Sequence, residues 1–267
     1  MKQKKAELIG VIHLPPLAGS VGSRTKDSAS LVRAAIVQAV REAAILEDAG
    51  FDSVIIENFG DAPFYKDCVP PETVASMAIV ASAVRGATTL AIGINVLRND
   101  ARAAIAIAAT TGSQFVRVNV LSGVAATDQG LIEGRAAEWV RERERIARGI
   151  KIFADVHVKH AQSLSSNDIS LAIEETAHRG GADAVIITGQ TTGRGVDPAA
   201  LKKASLAARA LRVPLLIGSG ATPESWSGLK ESCDGVIVGS ALRKSGRAGA
   251  LLDARRCREF AKVFRRT

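Results

Sequence analysis

Ile152-Phe153-Ala154-Asp155-Val156-His157 is an apolar run whose far end carries a carboxylate and an imidazole, and the residues behind it, 167–180, have helical composition. A strand this apolar is expected to be covered on both faces, as in a parallel sheet. The same alternation recurs along the whole chain. Strands are expected at 8–13, 53–58, 90–95, 115–119, 152–157, 184–188, 213–218 and 235–239. Helices are expected at 29–49, 71–85, 100–111, 134–148, 167–180, 198–210, 223–230 and 250–265. Gly50, Gly112 and Gly180 stand where helix C′ glycines belong, and Thr222-Pro223 reads as an N-cap followed by proline at N1.

Eight βα units fill 267 residues, close to the roughly 250 of a (β/α)8 barrel. An open, doubly wound sheet shares this alternation. Closure is preferred because the eight units leave no second domain over, and because polar residues gather at the strand ends. The expected fold is α/β, a single (β/α)8 TIM barrel over residues 1–267 with a basic C-terminal helix near 250–265.

Hydrophobic residues make up 47% of the chain and charged residues 23%, which excludes disordered and low-complexity classes and allows a large core. Cys68, Cys233 and Cys257 form neither a disulfide framework nor a thiolate zinc motif, so a reducing cytoplasm is expected. The basic start, Met1-Lys2-Gln3-Lys4-Lys5, is read as mature protein, since His13, Pro15 and Pro16 interrupt the apolar run behind it. The formal charge of +8 is concentrated in residues 242–267, where nine Lys and Arg face only Asp253 and Glu259. One reading is a helix that docks Leu252, Phe260, Val263 and Phe264 and leaves its Arg face in water; the other is peripheral contact with an acidic membrane. Nucleic acid is not an expected partner, because aromatics are 4% and no recognised binding motif occurs. Homo-oligomerisation stays open.

In a (β/α)8 barrel the site forms at the carboxyl ends of the strands. Those ends carry His13, Glu57, Asn95, Arg117 with Asn119, Asp155 with His157, and Thr188. Arg117 and Asp155 interrupt apolar neighbouring strands, so both should point inward, and period-two alternation gives Asn119 and His157 the same faces. Two roles are open for the pair. It is a structural ion pair filling a layer, or Arg117 and Asn119 orient an anionic or hydroxylated ligand while Asp155 or His157 exchanges a proton. Glu57 and His13 complete the mouth, and Lys159 behind strand five is an electrophile, a Schiff-base former or a solvated loop residue.

Gly218-Ser219-Gly220 after strand seven and Gly239-Ser240 after strand eight occupy the two loops where barrels bind phosphate. Small residues let backbone N–H groups approach an anion, with a helix dipole in support. The loop from Gly189 to Gly195 reads equally as a lid or as a surface loop. No cofactor is expected. A divalent metal is conceivable on His13, Glu57, Asp155 and His157, although no ligand motif such as H-E-x-x-H occurs.

Several blocks resemble one family: Gly10-Val11-Ile12-His13-Leu14-Pro15-Pro16-Leu17, Glu57-Asn58-Phe59-Gly60-Asp61, Gly93-Ile94-Asn95-Val96-Leu97-Arg98-Asn99-Asp100, Phe115 to Asn119, Ala154 to Ala161, Thr188-Gly189 and Gly239-Ser240-Ala241-Leu242. They resemble the BtpA/SgcQ family across essentially the whole chain. The resemblance leads one to expect Lys at 243, where Arg stands and keeps the charge. It implies a barrel of the ribulose-phosphate-binding type. It also implies two directions for function, since cyanobacterial relatives are associated with photosystem I biogenesis at thylakoid membranes and enterobacterial ones, by gene context, with carbohydrate metabolism. Together these readings predict an enzyme that uses acid/base chemistry on a small phosphorylated or anionic sugar-like metabolite, of isomerase, epimerase or aldolase/lyase type. The alternative is a non-catalytic photosystem I-type assembly factor acting peripherally at a membrane.

Overall fold

The computed structural model describes residues 6–23, 27–157, 161–165, 167–189 and 195–266. Eight parallel strands form the barrel: β1 (Glu7–His13), β2 (Ser53–Glu57), β3 (Ala91–Asn95), β4 (Phe115–Val118), β5 (Lys151–Val156), β6 (Ala184–Ile187), β7 (Leu215–Ile217) and β8 (Gly235–Val238). The ring closes between β1 and β8, where Glu7 lies opposite Gly235 and Gly10 opposite Val238. An open sheet is thereby excluded.

Helices α1 (Ser28–Ala49), α2 (Pro71–Ala87), α3 (Ala101–Thr111), α4 (Ala136–Ile146), α5 (Ile169–Glu174), α6 (Pro198–Leu211), α7 (Pro223–Leu229) and α8 (Ala254–Arg266) follow the strands in turn. Their ends obey local chemistry. Asp27 accepts the Ser30 N–H to start α1, and Gly50 ends it at φ 89°; Thr222 and Ser225 form a reciprocal capping box on α7. Gly180 is a correction. It is right-handed, and the left-handed glycine is Gly181 at φ 73°, because α5 ends in a π turn, Glu175–Arg179, that displaces the cap by one residue.

Alternation sorts the strand residues between two cores. Ile9, Val11, Ile55, Phe115, Phe153, Ala184, Ile186, Leu216 and Ile237 pack together inside the ring, while their neighbours in sequence face the helices. Phe115 stacks on Phe153 at 4.6 Å. Gly93 makes room for it, since a Cβ there would stand 2.1 Å from the Phe115 ring. With its lower part filled by these side chains, the barrel leaves only the strand ends open to a ligand.

Two features depart from expectation. The last helix begins at Ala254 rather than 250, because Leu252 pairs with Arg243 in an antiparallel bridge. Phe260 and Phe264 of α8 are buried and Val263 is half-buried against the core, while Arg258 and Lys262 stay exposed. The connections after β4 and β5 build an unexpected antiparallel sheet of Val124–Thr127, Gly130–Glu133 and Ala161–Ser163. It walls one side of the mouth.

Candidate active site at the barrel mouth

Register sets His13, Glu57 and Asn95 level on three adjoining strands: His13 pairs with Glu57 and Glu57 with Asn95. His13 and Glu57 are each 7% exposed, with Nε2 of His13 3.8 Å from Oε1 of Glu57. The imidazole stacks on Phe59 at 4.3 Å, and its Nδ1 accepts the Gly249 N–H at 3.1 Å. The neutral tautomer compatible with that bond carries its proton on Nε2, toward Glu57.

Arg117 and Asp155 point inward, as expected. The guanidinium donates from Nε to Oδ1 at 3.2 Å and from Nη2 to Oδ2 at 3.0 Å, and Asn119 donates to the same Oδ2 at 2.7 Å. Burial disfavours the charge on Arg117, yet the attraction of Asp155 and Glu57 pushes its pKa above the ordinary guanidinium value. The Asp155 side chain is 0% exposed, and three donors hold it. Asn95 donates to the Arg117 carbonyl at 3.1 Å and to Asn119 at 3.2 Å, while its own buried Oδ1 finds no partner among the described residues.

A cleft of about 230 Å³ is lined by His13, Glu57, Phe59 and Arg117 on one side and by Gly218 to Thr222 and Gly239 to Ala241 on the other. The Ser219 hydroxyl is buried there without a partner among the described residues. Among those residues the Ser219 and Gly220 amides likewise find no acceptor. Gly218 is required by space: a Cβ would meet Ile186 at 2.5 Å and Thr188 at 2.9 Å. Gly239 is not so confined, since a Cβ there would lie 3.6 Å from His13.

The expected constellation is divided by the Arg117–Asp155 pair. Asn119, Asp155 and His157 border a second, smaller cleft together with Ser122 and Glu175, beneath the antiparallel sheet. Strand alternation does not reach His157, because β5 stops at Val156 and His157 is left-handed at φ 53°; the residue borders this cleft beside Asp155 all the same. Thr188 donates to the His157 carbonyl at 3.4 Å, and Gly189 lines a groove with both residues. Lys159 lies outside the described residues, as do Gln190 to Arg194 of the expected lid loop. Among the described residues no three His, Cys, Asp or Glu side chains are grouped to hold a metal.

Arg98 was not among the sequence candidates, although it sits in the Gly93 to Asp100 block. It is 7% exposed; burial lowers its pKa against the pull of Asp155, Asp128 and Glu57, which puts it within electrostatic reach of the mouth. Other polar residues of these blocks are structural. Asn58 accepts the Leu97 N–H at 2.7 Å, Asn99 accepts from and donates to Val120, and Asp100 caps α3 while accepting the Val69 N–H.

A closed eight-stranded parallel ring with a polar strand-end mouth and small-residue loops after β7 and β8 defines a TIM barrel. Phosphoribosyl anthranilate isomerase from Thermus thermophilus is similar in fold, with a TM-score of 0.58 at 10% identity over 97% of this chain and 98% of that one. The chain belongs to the BtpA family, whose model matches residues 3–266. It is 45% identical to an uncharacterized protein of Thermococcus kodakarensis, covering 100% of this chain and 99% of the relative. It is 42% identical to the photosystem I biogenesis protein BtpA of a Synechocystis strain, covering 96% and 87%.

Proposed function

We propose that this chain is an enzyme acting by acid/base chemistry on a small phosphorylated or otherwise anionic sugar-like metabolite, as an isomerase, epimerase or aldolase/lyase. One observation carries the reading: Ser219, whose buried hydroxyl has no partner among the described residues, lines a single cleft together with the His13–Glu57 pair. The amides of Ser219, Gly220, Gly239 and Ser240 and the two serine hydroxyls suit an anion's oxygens, while the Gly218 N–H is held by the Ile187 carbonyl at 2.7 Å. Arg117, charged at any working pH, suits a second anionic or hydroxyl group, and its grip on Asp155 fixes its direction.

Glu57 then takes a proton from substrate, and the Nε2–H of His13 supplies one to a developing oxyanion. Asp155, with no exposed surface, acts through Arg117 and Asn119 rather than on the substrate. The phosphoribosyl anthranilate isomerase is named for a phosphorylated sugar derivative, which agrees with this class by fold analogy alone.

A thermal-shift panel tests binding, and solvent-deuterium incorporation into whichever sugar phosphate stabilises the protein tests chemistry. Phosphorylated sugars should raise the melting temperature where their unphosphorylated counterparts do not. His13→Gln and Glu57→Gln should keep that stabilisation and lose deuterium incorporation. If no phosphorylated compound stabilises the wild type, the reading falls.

A second reading, a non-catalytic assembly factor at a membrane surface, draws on the name of the Synechocystis relative and on the exposed Arg258 and Lys262 of α8. It predicts salt-sensitive sedimentation with anionic but not zwitterionic vesicles.

A further inference from the structure

The loop after β8 supplies the Gly249 N–H that meets His13, and what holds this loop lies outside the cleft. Arg243 is 0% exposed although it follows a glycine loop. Its guanidinium turns away from the mouth and donates to the Val11 carbonyl of β1 at 2.7 Å, to both Glu42 oxygens of α1 at 3.3 Å each, and to the Ala250 carbonyl. Glu42 also accepts the Leu252 N–H at 3.4 Å and a Gln38 amide proton at 3.3 Å, and Gln38 donates to the His13 carbonyl at 3.1 Å. The loop's two arms are joined as well, Lys244 N–H to the Leu251 carbonyl and Asp253 N–H to the Leu242 carbonyl. One buried pair therefore ties α1, β1 and residues 243–253 together, and reaches His13 from its backbone and from its ring.

We infer that Arg243 and Glu42 are positioning residues which, by pinning the Gly249 amide against Nδ1, hold His13 neutral with its proton on Nε2. An imidazolium would set an Nδ1–H against the Gly249 N–H at 3.1 Å, two donors with no acceptor between them. Protonation thus requires the loop to leave, and the loop is fastened by the buried pair. Among the described residues, charged groups near the ring include Glu57 from β2, at 3.8 Å, and Arg117 from β4 in the same cleft, with Arg243 and Glu42 behind the β1 backbone. Glu57 favours a proton on Nε2 and so selects the same tautomer as Gly249; its carboxylate also draws a second proton to the ring, which the Gly249 donor and Arg117 oppose. A neutral Nε2–H donor is what protonating an oxyanion without leaving a strong acid in the site demands. This inference rests on the proposed role of His13 only for its purpose; the tautomer itself is a property of the ligand-free protein.

The test is imidazole ¹⁵N NMR on the ligand-free chain, which reads the tautomer whether or not any substrate is found. The wild type should show His13 as a single Nε2–H tautomer, with nitrogen–nitrogen coupling across the Gly249 hydrogen bond and a titration midpoint below the ordinary imidazole value of about 6.5. In Glu42→Leu/Arg243→Met, which exchanges the pair for apolar side chains and so avoids an unpaired buried charge, the coupling should vanish. The tautomers should then mix, and the midpoint should rise toward the ordinary imidazole value. Glu42→Gln, which keeps the side-chain volume, should shift the same signals in the same direction by less and covers the case of a double variant that does not fold. The inference is overturned if wild-type His13 carries its proton on Nδ1 or titrates at the ordinary imidazole value. It is equally overturned if the folded variants leave the His13 signals unchanged.

Discussion

Arg117 and Asp155 meet side-on inside the ring, two nitrogens on two oxygens at 3.2 and 3.0 Å, with Asn119 closing the carboxylate at 2.7 Å. The pair stands between two clefts, so it both fills a barrel layer and aims a cation at the larger one. The layer-filling role weighed from sequence is what this geometry shows; the ligand-orienting role belongs to the proposed function.

Removing one partner strands the other. Arg117→Met should cost about 3–5 kcal/mol of stability, the penalty for leaving a buried carboxylate unpaired. Asn119→Ala removes one charge-assisted bond and should cost about 1.5–3 kcal/mol. Urea unfolding of both variants checks the order; equal losses would mean that Arg117 contributes packing and no charge pairing.

The two loop glycines should separate stability from binding. Gly218→Ala drives a methyl into Ile186 and Thr188 and should lose about 1–3 kcal/mol by overpacking. Gly239→Ala meets only ordinary contacts, the nearest being His13. It should lose less stability while placing its methyl in the cleft and weakening phosphate binding. Melting curves with and without inorganic phosphate measure both.

Glu42 gives a pH signature of unusual sign. Burial raises its carboxyl above the ordinary 4.5, outweighing the opposing pull of Arg243. Its folded value is above its unfolded one, so its contribution to stability is full below the unfolded value and is lost as pH climbs from about 4.5 through the folded value. Glu42→Gln should remove this component, leaving a flatter stability profile over that window. If the wild-type and variant profiles run parallel, Glu42 is not shifted.

Breaking the inner aromatic layer should be costly. A Cβ on Gly93 would sit 2.1 Å from the Phe115 ring. Gly93→Ala should therefore destabilise the barrel by about 1–3 kcal/mol or more, measured by thermal unfolding, and should disturb the Phe115–Phe153 stack.

How much of this was legible depended on whether the signal was periodic. The eight strands were visible because each is a compact apolar run, and the inward turn of Arg117 and Asp155 followed from the cost of a bare charge against the helices. The division of the site was hidden, since it depends on β5 ending at Val156 and on His157 turning left-handed. The antiparallel sheet was hidden too; Val124 to Glu133 is short, partly exposed, and joined through Asp128-Gln129 rather than a recognisable turn pair. Arg243 showed in sequence only as a retained positive charge shortly after Gly239-Ser240, and only tertiary contacts with Glu42 and Val11 reveal it as a strut. Arg98 carried no strand-end signal, because it lies three residues beyond β3.

The proposed function requires an anion seated between the β7 and β8 loops, in the cleft that His13 and Glu57 also line. Backbone ¹H–¹⁵N spectra of the wild type, titrated with inorganic phosphate at constant ionic strength, test this most directly. Saturable shifts should gather on Ser219, Gly220, Gly239 and Ser240 and be lost in Ser219→Val. No saturable shift, or shifts confined to α8 and other surface cations, would contradict it.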